Sequence, residues 1–323
     1  MRPRSAHYVS VMKGLVAVTG ATGFIGRRLV RRLVEDGWRV RALARRPDAG
    51  LVEVGAEVVD GALEDGPSLH TLAESANAVV HCAGAIRAPS HEAFVQINRD
   101  GTARLAQAIV AQPRPPRLLL MSSLAARAPQ VSSYAATKRM AEDAVRRMLD
   151  GQAEFCIVRP PAVYGPGDRA PLPIFRQIQR GVLVIPKADA RFSLLYVEDL
   201  AEIVSRLLDG PSWHGQVIEP DDGRGGYCWT DLARIAGAHL HRRVRTLPVP
   251  WLAMWLPAAI AQIMGAVSKR APMITLGKLR ELYHADWVCQ GTTGTLLSAA
   301  PPRVAFDNGF ATTLAWYKQR GWL

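Results

Sequence analysis

An α/β fold with a doubly wound parallel sheet is predicted by three observations. Short apolar runs alternate with amphipathic helical stretches through the first half of the chain, as in a parallel sheet covered by helices. The first apolar run, Leu15-Val16-Ala17-Val18-Thr19, leads straight into the glycine turn Gly20-Ala21-Thr22-Gly23-Phe24-Ile25-Gly26 and the start of a helix. After Pro160 the alternation weakens, which places a smaller, mainly helical C-terminal substrate subdomain behind a Rossmann-type sheet. The 323 residues exceed the usual single-core size of about 250–300, in keeping with one large and one smaller unit.

The opening unit organises the rest. Gly20, Gly23 and Gly26 carry a G-x-x-G-x-x-G spacing that permits a tight turn, close backbone approach to a pyrophosphate and close packing of helix on strand. With Thr22, Phe24 and Ile25 they form a cofactor-binding turn, and the helix N-terminus offers free N–H groups to phosphates. Phe24, Ile25, Leu29, Val30 and Leu33 share one helix face, away from Arg27, Arg28, Arg31 and Arg32.

The second strand reads as 38–46 and finishes in Arg45-Arg46 before Pro47. An NAD site usually places Asp or Glu here on the ribose 2′-hydroxyl, whereas arginine accommodates a 2′-phosphate; Arg45 and Arg46 therefore favour NADP over NAD. A third strand follows at about 57–59 and a helix at about 67–75, with Pro67 in its first turn. The fourth strand, 78–82, ends in Ala83-Gly84, where backbone can lie close to a ligand. A helix is predicted at about 92–111. The fifth strand, 117–121, delivers Ser122 and Ser123, a helix runs from Tyr134 to about Leu149, and the sixth strand spans 155–159. Ligands bind outside the carboxyl ends of such strands, so Gly20, Gly84 and Ser123 share one rim.

Beyond Pro160, residues 173–180 read as helical, 191–197 as extended, 197 onward as a helix, 216–219 as a strand, 229–238 as a helix capped by Thr230 or a neighbour, and 244–249 as a strand. The prolines at 272, 301 and 302 mark a helical tail whose order is not legible. The expected division is a disordered tail at 1–13, a dinucleotide-binding domain of 14–165 with about 192–220, and a substrate subdomain of about 166–191 with 221–323. Met12 directly precedes the first strand, so the first eleven residues read as a tail or a start-site artefact.

The net charge of +12 comes mainly from arginines scattered over helix faces. It fits a solvated surface, a phosphate-bearing ligand or an acidic membrane surface. With no compact basic run interleaved with aromatics, nucleic acid is not an expected partner. Cys82, Cys156, Cys228 and Cys289 lie far apart, which argues for reduced thiols in a cytoplasmic protein and against a disulfide framework or metal site. The apolar window 249–267 is interrupted by Pro250 and Pro257, so it reads as a buried or interfacial segment rather than a spanning helix, leaving peripheral membrane contact open.

Ser123, Tyr134 and Lys138 are the expected catalytic set. Hydride transfer to or from a nicotinamide needs an acid or base at the alcohol or carbonyl oxygen. Tyrosine, with a usual pKa near about 10, is a poor base at neutral pH, and a lysine one helical turn away draws that value down. Ser123 orients the reacting oxygen, and Lys138 also holds the nicotinamide ribose. No G-x-S-x-G elbow surrounds Ser123, which excludes a serine hydrolase of that type.

Thr19 to Gly26, Ser123, Tyr134-x-x-x-Lys138, Arg159-Pro160 with Val163-Tyr164-Gly165-Pro166-Gly167-Asp168, and Tyr196-Val197-Glu198-Asp199-Leu200-Ala201 together resemble the NAD(P)-dependent epimerase/dehydratase family. That family is the extended and atypical branch of the short-chain dehydrogenases/reductases, and the resemblance covers about 14–220. It implies a Rossmann domain, frequent homodimers, the roles above for Ser123, Tyr134 and Lys138, and a cofactor lined by Cys82, Ala83, Gly84, Pro160 and Val163. Asp60 or Leu63 stands nearest to the aspartate that the family places by the adenine. The sugar-nucleotide dehydratases carry an Asp-Glu pair where this chain has Leu124-Ala125. Epimerases often have an asparagine where Pro160-Pro161 stands, and Arg191 falls one position early for their arginine. The resemblance therefore implies hydride transfer between a nicotinamide and a secondary alcohol, ketone or sugar carbon of a small-molecule substrate. The segment 251–267 suggests an apolar pocket, as in 3-beta-hydroxysteroid dehydrogenases and related reductases, or plain core. Atypical members such as an accessory subunit of respiratory complex I offer the alternative of a non-catalytic dinucleotide-binding protein.

Overall fold

The computed structural model describes residues 13–186, 189–268, 275–290 and 304–323. Of the tail expected at 1–13, all but Lys13 lies outside the described residues. The first half alternates as the periodicity requires: β1 (Leu15–Thr19), α1 (Phe24–Glu35), β2 (Arg39–Ala44), α2 (Ala49–Glu53), β3 (Glu57–Asp60), α3 (Gly66–Ala73), β4 (Ala78–His81), α4 (His91–Phe94), α5 (Gly101–Val110), β5 (Arg117–Met121), α6 (Ser133–Leu149) and β6 (Phe155–Val158). Then follow β7 (Ala162–Tyr164), α7 (Leu172–Gln179), β8 (Val182–Ile185), β9 (Arg191–Phe192), β10 (Leu194–Tyr196), α8 (Val197–Asp209), β11 (Val217–Ile218), β12 (Tyr227–Cys228), α9 (Trp229–His239), β13 (Arg245–Pro248), α10 (Trp251–Ser268), α11 (Leu276–Tyr283), β14 (Asp286–Trp287) and α12 (Phe306–Gln319).

Seven strands form one sheet in the order β11-β6-β5-β4-β1-β2-β3, all of them parallel. The order reverses between β1 and β4, and the crevice at that switch point opens above their carboxyl ends. All five residues of β1 are buried because helices cover both faces, so the strand is uniformly apolar rather than alternating. On one face Leu29, Val30 and Leu33 of α1 share a core with Leu200, Val204 and Leu207 of α8. On the other, Leu69 and Leu72 of α3 pack with Leu105 and Ile109 of α5 and Val145 of α6. A third core gathers Tyr164, Phe175, Tyr196, Phe306, Phe310 and Tyr317, around a stacked Phe175–Phe310 pair with centroids 4.9 Å apart.

Three sequence expectations are corrected. The helix read at 92–111 is α4, a π-helical turn over Val95–Asp100 and α5; the wide turn holds Asn98, whose amide bonds the backbone of Ala85, and such π-bulges gather at functional sites. The cap of α9 is Cys228, closed reciprocally by Asp231. Pro257 does not break the 249–267 window: it lies inside α10, on an exposed face where the carbonyl it frees at Ala253 meets no crowding core. Nor is α10 buried, for Leu252, Leu256, Ile260 and Met264 are exposed. Among the described residues no helix is long and apolar enough to cross a membrane.

Candidate active site

The glycine turn is shaped to hold something against backbone. Gly20 has φ +69°, and a Cβ there would meet the amide of Ala83 at 2.6 Å; one on Gly26 would meet the carbonyl oxygen of Gly20 at 2.1 Å. Neither position accepts a side chain, so the turn stays close-packed with its N–H groups at the mouth of α1. Thr22 is exposed, and Phe24 and Ile25 are partly buried at the start of the helix.

A polar clip ties this turn to the ends of β4 and α5. The Thr19 hydroxyl accepts the amide N–H of Ala83 at 3.2 Å and lies 2.6 Å from Nδ1 of His81. His81 Nε2 lies 2.9 Å from Oγ1 of Thr102, which donates its own proton to the carbonyl of Asn98 at 2.6 Å. Thr102 is therefore the acceptor for Nε2–H, and Thr19 donates to Nδ1, so one tautomer satisfies every group. Burial, reinforced by the Lys138 cation, pulls His81 down to about 3. The ring is neutral, and it positions Cys82, Ala83 and Gly84 on the rim.

Lys138 meets this rim from α6. It is 7 % exposed, and its ammonium donates to the carbonyl oxygen of Met121 at 2.7 Å. A Cβ on Gly84 would stand 3.7 Å from its Nζ, so the fourth strand end and the lysine face one space. Burial draws Lys138 down to about 8, against the opposing pull of Glu142. One turn earlier, Tyr134 shares a hydrogen bond with the Ser123 side chain, and Ser123 also accepts the N–H of Ala125 at 3.2 Å. Against the expectation that Lys138 would draw it down, burial pushes the Tyr134 phenol up to about 12, the Ser123 bond opposing this and the carboxylate of Glu281 adding to it. The geometry thus brings Gly84, Ser123, Tyr134 and Lys138 together at one edge of the sheet, with Phe94 beside Tyr134 at a centroid separation of 6.4 Å.

The remaining expected residues scatter around this centre. The N–H of Leu124 bonds the carbonyl of Pro160 at 2.9 Å, so Pro160 borders the Ser123 loop. Val163 pairs with Leu195 and packs against the sheet core. Burial also pushes the Cys82 thiol up to about 12, which keeps it protonated. Arg45 and Arg46 are exposed just past β2, where Asp48 caps α2 and is held by Arg27 at 3.0 and 2.5 Å. Leu63 turns its side chain into the core, where a Cβ on Gly101 would meet it at 2.8 Å; only its backbone is left for a nucleotide.

Several residues escaped the sequence reading. Asn98 links the rim to α6, its Nδ2 donating to Thr137 Oγ1 at 3.1 Å. Glu142, four residues after Lys138 and fully buried, accepts from Ser122 at 2.5 Å and from Arg159. The i, i+4 series 134-138-142 was the available signal, since an acid on the inner face of a helix needs a partner. Glu281 of α11 bonds the hydroxyl of Ser132, the residue that caps α6 by accepting the N–H of Ala135. No sequence spacing announces that contact. Among the described residues no group of His, Cys, Asp and Glu is arranged to hold a metal ion.

Residues 16–218 match the NAD dependent epimerase/dehydratase family. Over 314 residues the chain is 38 % identical to the ceramide reductase of Caulobacter vibrioides, covering 96 % of each chain. It is 26 % identical to a putative dihydroflavonol 4-reductase of Synechocystis over 98 % of each. Among solved structures, the UDP-glucuronic acid 4-epimerase of Bacillus cereus in complex with UDP-glucuronic acid and NAD superposes with a TM-score of 0.71 at 16 % identity, covering 95 % of this chain and 99 % of that one.

Proposed function

The chain belongs to the NAD-dependent epimerase/dehydratase family, an enzyme family, and from that premise we propose that it is a reductase that converts a ketone on an amphiphilic, ceramide-like lipid into a secondary alcohol. The observation that carries this reading is the Tyr134 phenol, bonded to Ser123 and pushed up to about 12. A phenol protonated at neutral pH can give its proton to a carbonyl oxygen as hydride reaches the carbon; the direction of the reaction rests on the reductase similarity. The ceramide reductase similarity, spanning nearly the whole of both chains, supports the lipid class. Leu124-Ala125 after Ser123 supplies no carboxylate for water elimination.

The turn from Gly20 to Gly26 fits a dinucleotide because a Cβ would fill it. Gly20, Thr22, Gly23, Phe24, Ile25 and Gly26 would hold the pyrophosphate, Cys82, Ala83, Gly84, Pro160 and Val163 the nicotinamide half, and Arg45 with Arg46 a 2′-phosphate, which favours NADP. When bound, the nicotinamide supplies the hydride that reaches the carbonyl carbon. Ser123 orients the carbonyl oxygen through its hydroxyl. Tyr134 gives that oxygen its phenolic proton, so carbon gains hydride, oxygen gains a proton and the C=O becomes CH–OH. Lys138, with one N–H on Met121 and two more free to donate, holds the ribose and stabilises the phenolate left behind.

The test is an assay of NADPH consumption with an N-acylated 3-keto long-chain base, using the intact chain and Tyr134→Phe. The intact enzyme should turn over and the variant should lose about 10²–10⁴-fold in rate while still binding NADPH. Full activity in the variant refutes the role of Tyr134; no turnover of the keto lipid by the intact enzyme refutes the substrate class.

A further inference from the structure

Helix α10 sets its apolar side chains in solvent. Leu252, Leu256, Ile260 and Met264 follow one another at i, i+4 and are 81, 57, 49 and 65 % exposed, with Trp255 beside them at 44 %. At 1.5 Å per residue they form a stripe about 18 Å long. Surfaces that stay in water scatter such residues singly rather than in rows. From Trp251 to Ser268 the helix carries no charge, and its one amide, Gln262, is engaged by the N–H of Leu276 at 3.0 Å.

The segment that leads into this helix is basic. Arg242, Arg243 and Arg245 are all exposed in and before β13, which leads within three residues into α10, and Leu247 between them and the helix is 54 % exposed. Arg242 and Arg243 also border a concavity of about 730 Å³ shared with Arg234. No acidic residue occurs from Leu240 to Ser268. A row of apolar side chains beside clustered arginines is the composition of a helix that lies in the headgroup layer of an anionic bilayer. A second copy of the chain is the weaker occupant, because a two-fold contact on this face would set arginine against arginine with no acid in the segment to answer them.

We propose that α10 and the adjoining β13 form the surface by which the protein docks on an anionic membrane, with α10 lying in the plane of the interface rather than across it. The docked surface is mechanically close to the candidate active site. Trp251 of α10 packs edge-on to Tyr283 of α11 at 5.3 Å, and Glu281 of the same α11 holds Ser132, the cap two residues before Tyr134. Resting on the reductase reading, this connection ties the docked helix to the cap of the helix that carries Tyr134.

The full chain, without any ligand, is sedimented with vesicles of equal parts phosphatidylcholine and phosphatidylglycerol, and with vesicles of phosphatidylcholine alone. Binding to the mixed vesicles, weakened by salt and by omitting the anionic lipid, is expected. The exposed double variant Leu256→Glu/Ile260→Glu should bind roughly tenfold or more weakly with unchanged circular dichroism and unchanged turnover of a short-chain, water-soluble ketone. Arg243→Glu/Arg245→Glu should lose the preference for anionic vesicles. The proposal fails if the intact chain stays in the supernatant, or if Leu256→Glu/Ile260→Glu binds as the intact chain does. It fails equally if the protein ignores vesicles and that variant converts a dimer to a monomer, which identifies the face as a contact between copies. Vesicle binding without ketone reduction upholds the docking surface and removes the reductase reading.

Discussion

The guanidinium of Arg159 grips the carboxylate of Glu142 with both Nε and Nη2, at 2.9 and 2.6 Å. The pair joins α6 to the end of β6 immediately beneath the Ser122-Ser123 loop, since Ser122 donates to the same carboxylate. Arg159 reaches on to Glu219 at 3.4 Å, and Glu219 to Arg127 at 3.5 Å. Glu142→Ala removes the two-pronged partner of a buried cation, leaving it only Glu219, and leaves Ser122 without its acceptor. Removing one partner of such a pair costs about 3–5 kcal/mol, which should lower the urea midpoint at unchanged slope. Glu142→Gln, which keeps an acceptor oxygen, should lose less.

Reduction should weaken in alkali before Tyr134 titrates. Lys138 is drawn down to about 8 and Tyr134 pushed up to about 12, so the first group to change as pH rises is the lysine. The rate of ketone reduction should fall above about pH 8 with the slope of a single proton. Lys138→Arg, permanently charged, should carry that limb to higher pH in any variant that retains the circular dichroism of the intact chain. An unmoved limb would show that Lys138 is not the group responsible.

Acid should unfold the protein partly through His81. Its folded value of about 3 lies below the usual 6.5, so below that usual value the unfolded chain binds a proton that the folded chain refuses. Stability is then full above about pH 6.5 and is lost progressively as pH falls toward about 3. The melting temperature, followed over that window, should be less acid-sensitive in His81→Gln than in the intact chain, although the variant starts lower for want of a clip between Thr19 and Thr102.

Gly26→Ala should abolish dinucleotide binding, because its Cβ would lie 2.1 Å from the oxygen of Gly20, a backbone atom that cannot swing aside. Gly66→Ala, where nothing stands within 4 Å, is the control and should bind normally. Titration of NADPH against intrinsic fluorescence separates the two.

Arg45→Ala/Arg46→Ala should raise the KM for NADPH by about 10–100-fold, the worth of a charge-assisted bond or two to phosphate, with little change for NADH. Equal effects on both cofactors would place the 2′-phosphate elsewhere. Neither arginine has a hydrogen-bond or ion-pair partner among the described residues, so the double variant should fold as the intact chain does.

The parallel sheet was readable because β1, β4, β5 and β6 are unbroken apolar runs, a pattern that few other environments produce. Ser123, Tyr134 and Lys138 were readable because a strand end and an i, i+4 spacing are local. The contacts that steady them are not local. Glu142 meets a partner 17 residues away, Arg159 one 60 away and Ser132 one 149 away; Glu219 follows the two-residue β11 and Glu281 lies on α11, neither of which the periodicity announces. Helix α10 was legible only as either buried or interfacial. Its apolar composition is what a buried segment would also show, and only the folded chain reveals which side of it is left uncovered.

Beyond the sheet, Arg127 bonds the carbonyls of Val288 and Asp286, and Glu219 accepts the N–H of Gln290. A connection written in backbone groups depends on the path of 286–290 rather than on the side chains that face Arg127 and Glu219. The side chains of that segment have other tasks: Trp287 donates its indole N–H to the carbonyl of Glu281, and the Cys289 thiol lies 3.7 Å from the carbonyl of Pro220. Two side chains, Arg127 and Glu219, thus fasten the segment after α11 to the sheet through its main chain.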